Sequence, residues 1–144
     1  EYKKFPYWNK LDFIGVDAYF PLSDSKTPTV NELTQGWETH VQELIKTHQK
    51  FKRPILFTEM GYRNVDHCAS SPWESGTKTG VNHQAQVNAY QALFNVFRDK
   101  DWFMGGFIWK WFDNHKNAGG ESDNNFTPQN KPVEELIKKE FSGR

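Results

Sequence analysis

Glu59 is the residue of this chain whose placement points most directly to chemistry. It ends a short apolar run, residues 54–59, and Met60, Gly61 and Tyr62 follow it. An ionised carboxylate is costly to bury unless it is paired or hydrogen-bonded, so an acid that closes a buried strand before a glycine turn suggests an active site. A rim carboxylate held by a nearby lysine or arginine would give the same local pattern, and the other strands must decide between the two.

Four further side chains suited to ligand binding fall near the ends of two other apolar runs. Asp17 and Tyr19 come late in one run, and Trp109 and Trp111 come late in the other. Alternation along a strand predicts that Asp17 shares the Tyr19 face and that both tryptophans share one face. In parallel α/β folds ligands bind at the edge where the carboxyl ends of the strands meet, so the pattern predicts a single site there.

The elements that must position these residues alternate along the chain as strand, helix, strand, helix, strand, helix. The predicted strands are residues 11–20, 54–59 and 104–112, and the predicted helices run from Thr29 to about Lys52, through Val87 and Phe97, and from Pro132 through Phe141. Thr29 and Glu32 have the spacing of a capping box. This order predicts a parallel sheet whose apolar strands are covered on both faces. The loops 65–81 and 113–131 exceed the usual connection of about 2 to 6 residues, which favours a functional role.

Composition excludes several classes of partner. The 144 residues amount to one domain, and 18 basic against 18 acidic side chains leave no charge footprint for nucleic acid or an anionic membrane. No apolar stretch approaches the roughly 20 residues of a membrane span. Cys68 is alone, so an internal disulfide or a zinc site is not expected. Aromatic residues make up 16% of the chain, with six tryptophans, which suits either sugar stacking or core packing.

Four segments carry a resemblance to a known family. Residues 11–22 (LDFIGVDAYFPL), 54–63 (PILFTEMGYR), 105–112 (GGFIWKWF) and 126–132 (FTPQNKP) resemble, in this order, the last three βα units of a clan A glycoside hydrolase, closest to the family 113 β-mannanase-like enzymes. The resemblance implies that residues 1–144 are a partial glycoside hydrolase catalytic domain. Its fold would be the C-terminal part of a TIM (β/α)₈ barrel, comprising strands 6 to 8 and their helices.

The resemblance also implies roles for individual residues. Glu59 matches the nucleophile that forms a covalent glycosyl-enzyme intermediate, and Tyr19 matches the tyrosine that orients it. Trp109 matches the platform beneath the sugar at the cleavage point, with Trp111 as the competing candidate. The implied substrate is a β-linked polysaccharide or oligosaccharide, possibly mannan.

Two other residues have open interpretations. Asp17 could bind a sugar hydroxyl or form a structural ion pair. Trp73, in the loop after Glu59, could line a neighbouring subsite or pack on the surface.

One catalytic group has no candidate of comparable quality. Retaining hydrolysis needs two carboxyl groups about 5 to 5.5 Å apart and no metal or organic cofactor. No second strand-end glutamate is found upstream of Tyr19, and nothing in the spacing of Asp113 or Glu121 assigns them proton transfer. Three strands of a closed barrel would also leave open edges, so we expect the chain to associate with the missing N-terminal part of the barrel or with copies of itself.

Two alternatives remain. A non-catalytic carbohydrate-binding module or a degenerate barrel would use the same aromatic side chains without a proton donor. A nucleotide-binding open sheet would need a glycine-rich turn between a strand and a helix, and neither Gly105-Gly106 nor Gly119-Gly120 is placed to supply it.

Overall fold

The chain folds into three consecutive strand–helix units. A computed structural model describes residues 1–76 and 80–142. The described residues form strands β1 (Ile14–Asp17), β2 (Ile55–Met60) and β3 (Phe103–Ile108), helices α1 (Val30–Phe51), α2 (His83–Phe97) and α3 (Pro132–Ser142), and short 3-10 helices at Trp8–Lys10 and His115–Asn117. The predicted order of strands and helices is confirmed.

The strands form one parallel sheet in the order β1-β2-β3. Asp17 is the register partner of Glu59, and Met60 is the partner of Ile108, so the strand ends that carry the distinctive residues lie side by side. This confirms the parallel arrangement expected from the sequence.

Two of the strands are shorter than predicted. β1 ends at Asp17 and β3 ends at Ile108, so Tyr19, Trp109 and Trp111 lie beyond the sheet. Alternation holds only inside a strand, so it gives no reason to place both tryptophans on one face, and their shared face stays a prediction. The last bond of β3 to the sheet runs from the Trp109 N–H to the Met60 carbonyl, at 2.8 Å.

Local sequence signals account for the helix ends. The Thr29 side chain accepts from the Glu32 N–H while Glu32 accepts from the Thr29 N–H, so the predicted capping box is present. Lys52 ends α1 in a left-handed conformation with φ of 55°. Asn82 was not predicted as a cap, yet its side chain caps α2 by accepting from the Ala85 N–H.

The core lies between the helices and one face of the sheet. Trp37 of α1 is fully buried, stacks on Phe57 of β2 at 6.2 Å between ring centroids and meets Phe97 of α2 edge-on at 5.0 Å. Ile14 and Ile55 are also fully buried at this face. Each such side chain contributes about 1.5 to 3 kcal/mol of stability, so these contacts fix the strands that carry the site.

The other face of the sheet is not covered by helices in the described part of the chain, which corrects the expectation that both faces are covered. Asp17 and Thr58 alternate with the buried positions and are exposed. β1 and β3 each have one edge that pairs with no strand of the described residues, and Phe107 of β3 is 65% exposed. The face that packs on the helices is called the outer face, and the exposed one is called the inner face. None of the helices in residues 1–76 and 80–142 has the length and apolar character needed to cross a bilayer.

Candidate active site

Tyr19 and Glu59 meet at the carboxyl edge of the sheet. The Ala18 N–H donates to the Glu59 carbonyl at 2.7 Å, which holds the chain after β1 against the end of β2. A register shift between Val16 and Asp17 turns the following residues, and the Tyr19 hydroxyl donates to Glu59 Oε2 at 2.9 Å. The structure thus brings together the two residues that the sequence placed in catalytic roles.

Tyr19 is protonated and so can donate a hydrogen bond to Glu59. Burial, and then its hydrogen bond to Glu59, hold the pKa of Tyr19 well above the ordinary value of a phenol. The phenol therefore keeps its proton at neutral pH and donates it to the carboxylate. Oε1 of Glu59 receives no hydrogen bond from the described residues, so one carboxylate oxygen is held and the other is free.

Asp17 lies beside this pair. Its Oδ1 accepts from the Thr58 hydroxyl at 2.7 Å, and it forms no salt bridge with any described residue. Asp17, Tyr19 and Thr58 line a groove of about 930 Å³ together with Trp73. Trp73 is 56% exposed, so its indole is accessible from this groove.

Trp109 lies against the residues that follow Glu59. Its N–H bonds the Met60 carbonyl, and its own carbonyl passes so near Gly61 that a Cβ there would lie 2.2 Å from the oxygen. Only glycine fits this approach, which gives the Met-Gly pair after Glu59 a structural reason. The Trp109 side chain is 43% exposed, and the Trp109–Lys110 peptide bond is cis.

Trp111 lies elsewhere. Its ring is 6.4 Å from that of His115, in the 3-10 turn after β3, and 48% of the residue is exposed. Among the described residues that line the groove beside Tyr19, neither Trp109 nor Trp111 is present. The backbone contacts therefore favour Trp109 over Trp111 as the residue beside Glu59.

Other residues support the site and were not identified as site residues from sequence. Phe126 meets the Tyr19 ring edge-on at 6.1 Å. The Lys131 ammonium, whose side chain has no exposed surface, bonds Asp123 Oδ1 and the Asn125 carbonyl, each at 2.8 Å, and so holds the loop that carries Phe126. The only sequence signal for them was the Phe-Thr-Pro-Gln segment within the resemblance.

Asp113 and Glu121, the two other carboxylates that proton transfer could use, lie in the loop after β3. Asp113 Oδ1 accepts from the Asn114 N–H at 2.8 Å, and Glu121 is exposed, with its backbone carbonyl bonded to His83. Neither side chain forms a hydrogen bond with Tyr19 or Glu59. Across the described ranges, no group of three or more His, Cys, Asp or Glu side chains could hold a metal ion.

The glutamate held by a tyrosine lies at the carboxyl edge of parallel strands, which is the edge where (β/α)-barrel proteins carry their ligand sites. The comparison with family models is more specific. The model of Glycoside Hydrolase Family 113 matches residues 1–131, and the chain belongs to that family.

Solved structures agree on the fold. The GH113 β-mannanase AaManA from Alicyclobacillus acidocaldarius, in complex with ManMIm, superposes with a TM-score of 0.79 at 23% identity over 99% of this chain and 42% of that one. A GH113 β-1,4-mannanase gives 0.78 at 22% identity over 96% and 41%, and a Faecalibacterium prausnitzii β-glucuronidase gives 0.63 at 17% over 99% and 24%. The chain thus spans about two fifths of the length of the mannanases, which confirms the predicted partial TIM barrel. The comparison with curated proteins found no match.

Proposed function

We propose that this chain is part of a retaining glycoside hydrolase that cleaves a β-linked polysaccharide or oligosaccharide, most specifically a β-mannan, with Glu59 as the nucleophile. The observation that carries the proposal is the 2.9 Å hydrogen bond from Tyr19 to Glu59 Oε2 at the carboxyl edge of the sheet. Membership of Glycoside Hydrolase Family 113 supports the reaction class, and the fact that two structural neighbours are β-mannanases supports the substrate.

The geometry suits the first chemical step. Tyr19 holds Oε2, so the lone pair of Oε1 can attack the anomeric carbon while the bond from that carbon to the leaving oxygen breaks. The leaving oxygen takes a proton from an acid, and the sugar becomes an ester of Glu59. Water, deprotonated by the same acid/base group, then attacks the anomeric carbon and releases Glu59 as a carboxylate.

We infer that the acid/base group comes from outside the described residues. It has to lie about 5 to 5.5 Å from Glu59, and no described carboxylate is assigned to that task. We infer that the missing N-terminal part of the barrel supplies it by adding strands to the free edges of β1 and β3. The exposed inner-face residues Asp17 and Thr58 and the exposed Phe107 favour this completion, because a closed ring would cover them. Pairing of this chain with copies of itself is the alternative use of the same edges.

The sugar would be bound by the aromatic residues at this edge. Trp109 is proposed as the platform at the cleavage point, because its backbone contacts the residues directly after Glu59. Trp73 is proposed to line a neighbouring subsite, and Trp111 is proposed to line a more distant one. Asp17 is proposed to accept a hydrogen bond from a sugar hydroxyl.

The experiment is to trap the intermediate. The full-length polypeptide containing this chain is incubated with a slow 2-deoxy-2-fluoro β-mannoside carrying a good leaving group, digested and sequenced. We expect the label on Glu59. Glu59→Gln should abolish turnover of β-1,4-linked manno-oligosaccharides while leaving their binding largely intact, whereas Glu38→Gln, on the exposed surface of α1, should change neither. A label on another residue, or near-native hydrolysis by Glu59→Gln, would remove Glu59 from the mechanism.

A non-catalytic carbohydrate-binding role is the second candidate. It is favoured by the exposure of Trp73, Trp109 and Trp111, at 56%, 43% and 48%, together with the absence of an assigned proton donor in the described residues. The same preparation separates the two functions. Binding of manno-oligosaccharides without any hydrolysis by the full-length polypeptide would support the binding role.

A further inference from the structure

Residues 109–112, which carry Trp109 and Trp111, are anchored to the sheet only at their first residue. β3 ends at Ile108, and the Trp109 N–H is the last group of this segment to bond β2. The sheet therefore does not fix the backbone of residues 110–112. A second anchor is needed if the indoles are to hold one orientation.

Gln129 provides that anchor. This side chain is completely buried, and its Nε2 donates to the Phe112 carbonyl at 3.0 Å while its Oε1 accepts from the Phe112 N–H at 2.6 Å. Oε1 also accepts from the Thr127 hydroxyl at 2.9 Å. One side-chain amide thus satisfies both backbone groups of Phe112, as a neighbouring strand would.

The surrounding loop fixes Gln129 in turn. Its carbonyl accepts from the Gly120 N–H at 3.1 Å, and Gly119, at a φ of +64°, passes so close that a Cβ would lie 2.0 Å from that carbonyl oxygen. Phe126, three residues earlier, packs on the ring of Tyr19. The turn of residues 126–129 therefore contacts both sides of the site, the tyrosine through Phe126 and the tryptophan segment through Gln129.

We propose that Gln129 is a positioning residue that sets the orientation of Trp109 and Trp111 by clamping the backbone of Phe112. The clamp is a property of the fold. Its consequence for sugar affinity rests on the proposed function, because it assumes that the indoles stack on the substrate.

The clamp can be tested without substrate by labelling the protein with 5-fluorotryptophan and recording ¹⁹F NMR spectra, with resonances assigned by single Trp→Phe variants. In Gln129→Met we expect the Trp109 and Trp111 resonances to shift or broaden by more than one linewidth, while the resonance of Trp37, which is fully buried in the core, stays in place. Unchanged Trp109 and Trp111 resonances in a folded Gln129→Met protein would overturn the proposal.

Thr47→Val is the matched control. Thr47 is also a buried polar side chain, and its hydroxyl donates to a backbone carbonyl, that of Glu43 at 2.9 Å, within α1. We expect this variant to leave the Trp109 and Trp111 resonances unchanged. An equal change in both variants would show a general loss of packing and would also overturn the proposal.

Two measurements extend the test. If Gln129→Met does not fold, amide hydrogen exchange in the unmodified protein decides: the Phe112 N–H should exchange as slowly as the amides of β3, and exchange at the rate of an exposed loop would refute the clamp. In the full-length polypeptide, Gln129→Met should raise KM for manno-oligosaccharides about three- to tenfold with little change in kcat. Failure of the Glu59 labelling would refute the proposed function while leaving the fluorine result intact.

Discussion

The hydrogen bond between Tyr19 and Glu59 makes the most direct prediction for catalysis. Tyr19→Phe removes only the hydroxyl that donates to Oε2 at 2.9 Å and leaves the ring that packs against Phe126. A hydrogen bond to a charged group contributes about 1.5 to 3 kcal/mol, and each 1.36 kcal/mol changes a rate tenfold. If the whole bond serves to orient the carboxylate, kcat should fall about 10- to 150-fold. KM should change little, because the lost hydroxyl bonds the Glu59 carboxylate and the proposed sugar-binding side chains stay in place.

The assay is steady-state hydrolysis of a β-1,4-linked manno-oligosaccharide by the full-length polypeptide. Tyr62→Phe is the matched control, since Tyr62 is fully buried and its hydroxyl has no hydrogen-bond partner among the described residues. We expect the control to keep kcat within about twofold. A Tyr19→Phe protein with kcat within twofold of the unmodified protein would show that the hydroxyl does not orient the nucleophile, and a drop shared with Tyr62→Phe would point to loss of packing instead.

Two further predictions concern stability and assembly. Burial alone would raise the pKa of Glu134, but hydrogen bonds from His115 and from the Asn130 N–H outweigh it and hold this pKa below the usual range. The stability that Glu134 contributes is therefore present above the ordinary carboxyl pKa of about 4.3 and is lost as the pH falls below it. Thermal melts should be recorded from pH 7 to pH 3. A Glu134→Gln variant should be less stable than the unmodified protein by up to about 3 kcal/mol at pH 7, and the two stabilities should converge in acid, whereas Glu135→Gln should match the unmodified protein throughout. Stability curves of Glu134→Gln and the unmodified protein that stay parallel would contradict the assignment. In sedimentation, residues 1–144 alone should self-associate through the free strand edges, or should bind the preceding part of the barrel when it is added. A compact monomer that does not bind the added part would contradict this.

The elements were predictable where sequence signals are local. The capping box at Thr29 and the proline at the start of α3 mark helix ends through contacts within a few residues, and both are present as predicted. The parallel sheet followed from the alternation of strands and helices.

The strand ends were harder to predict because pairing partners decide them. Residues 109–112 have the composition of a strand, yet β3 stops at Ile108 and the Trp109 N–H makes the last bond to β2. An inference that depends on a strand's length, such as the shared face of Trp109 and Trp111, loses its premise for the same reason.

The predicted site residues came from the strand ends and from a family resemblance, while their supports could not be read from the sequence. Gln129 lies 17 residues from the backbone it clamps, and Phe126 lies over 100 residues from Tyr19. Nothing in the local pattern of a polar loop distinguishes a glutamine with two backbone partners from one in water.

The contact between Tyr19 and Glu59 is made inside a single βαβ unit, with one helix between the two strands that carry them. The orientation of the Glu59 carboxylate is therefore set locally and can form as soon as β1 and β2 pair. In the proposed mechanism, the distance from Glu59 to a proton donor on another strand depends on how the whole ring closes. Damage at the remote strand junctions is then expected to slow proton transfer more than nucleophilic attack.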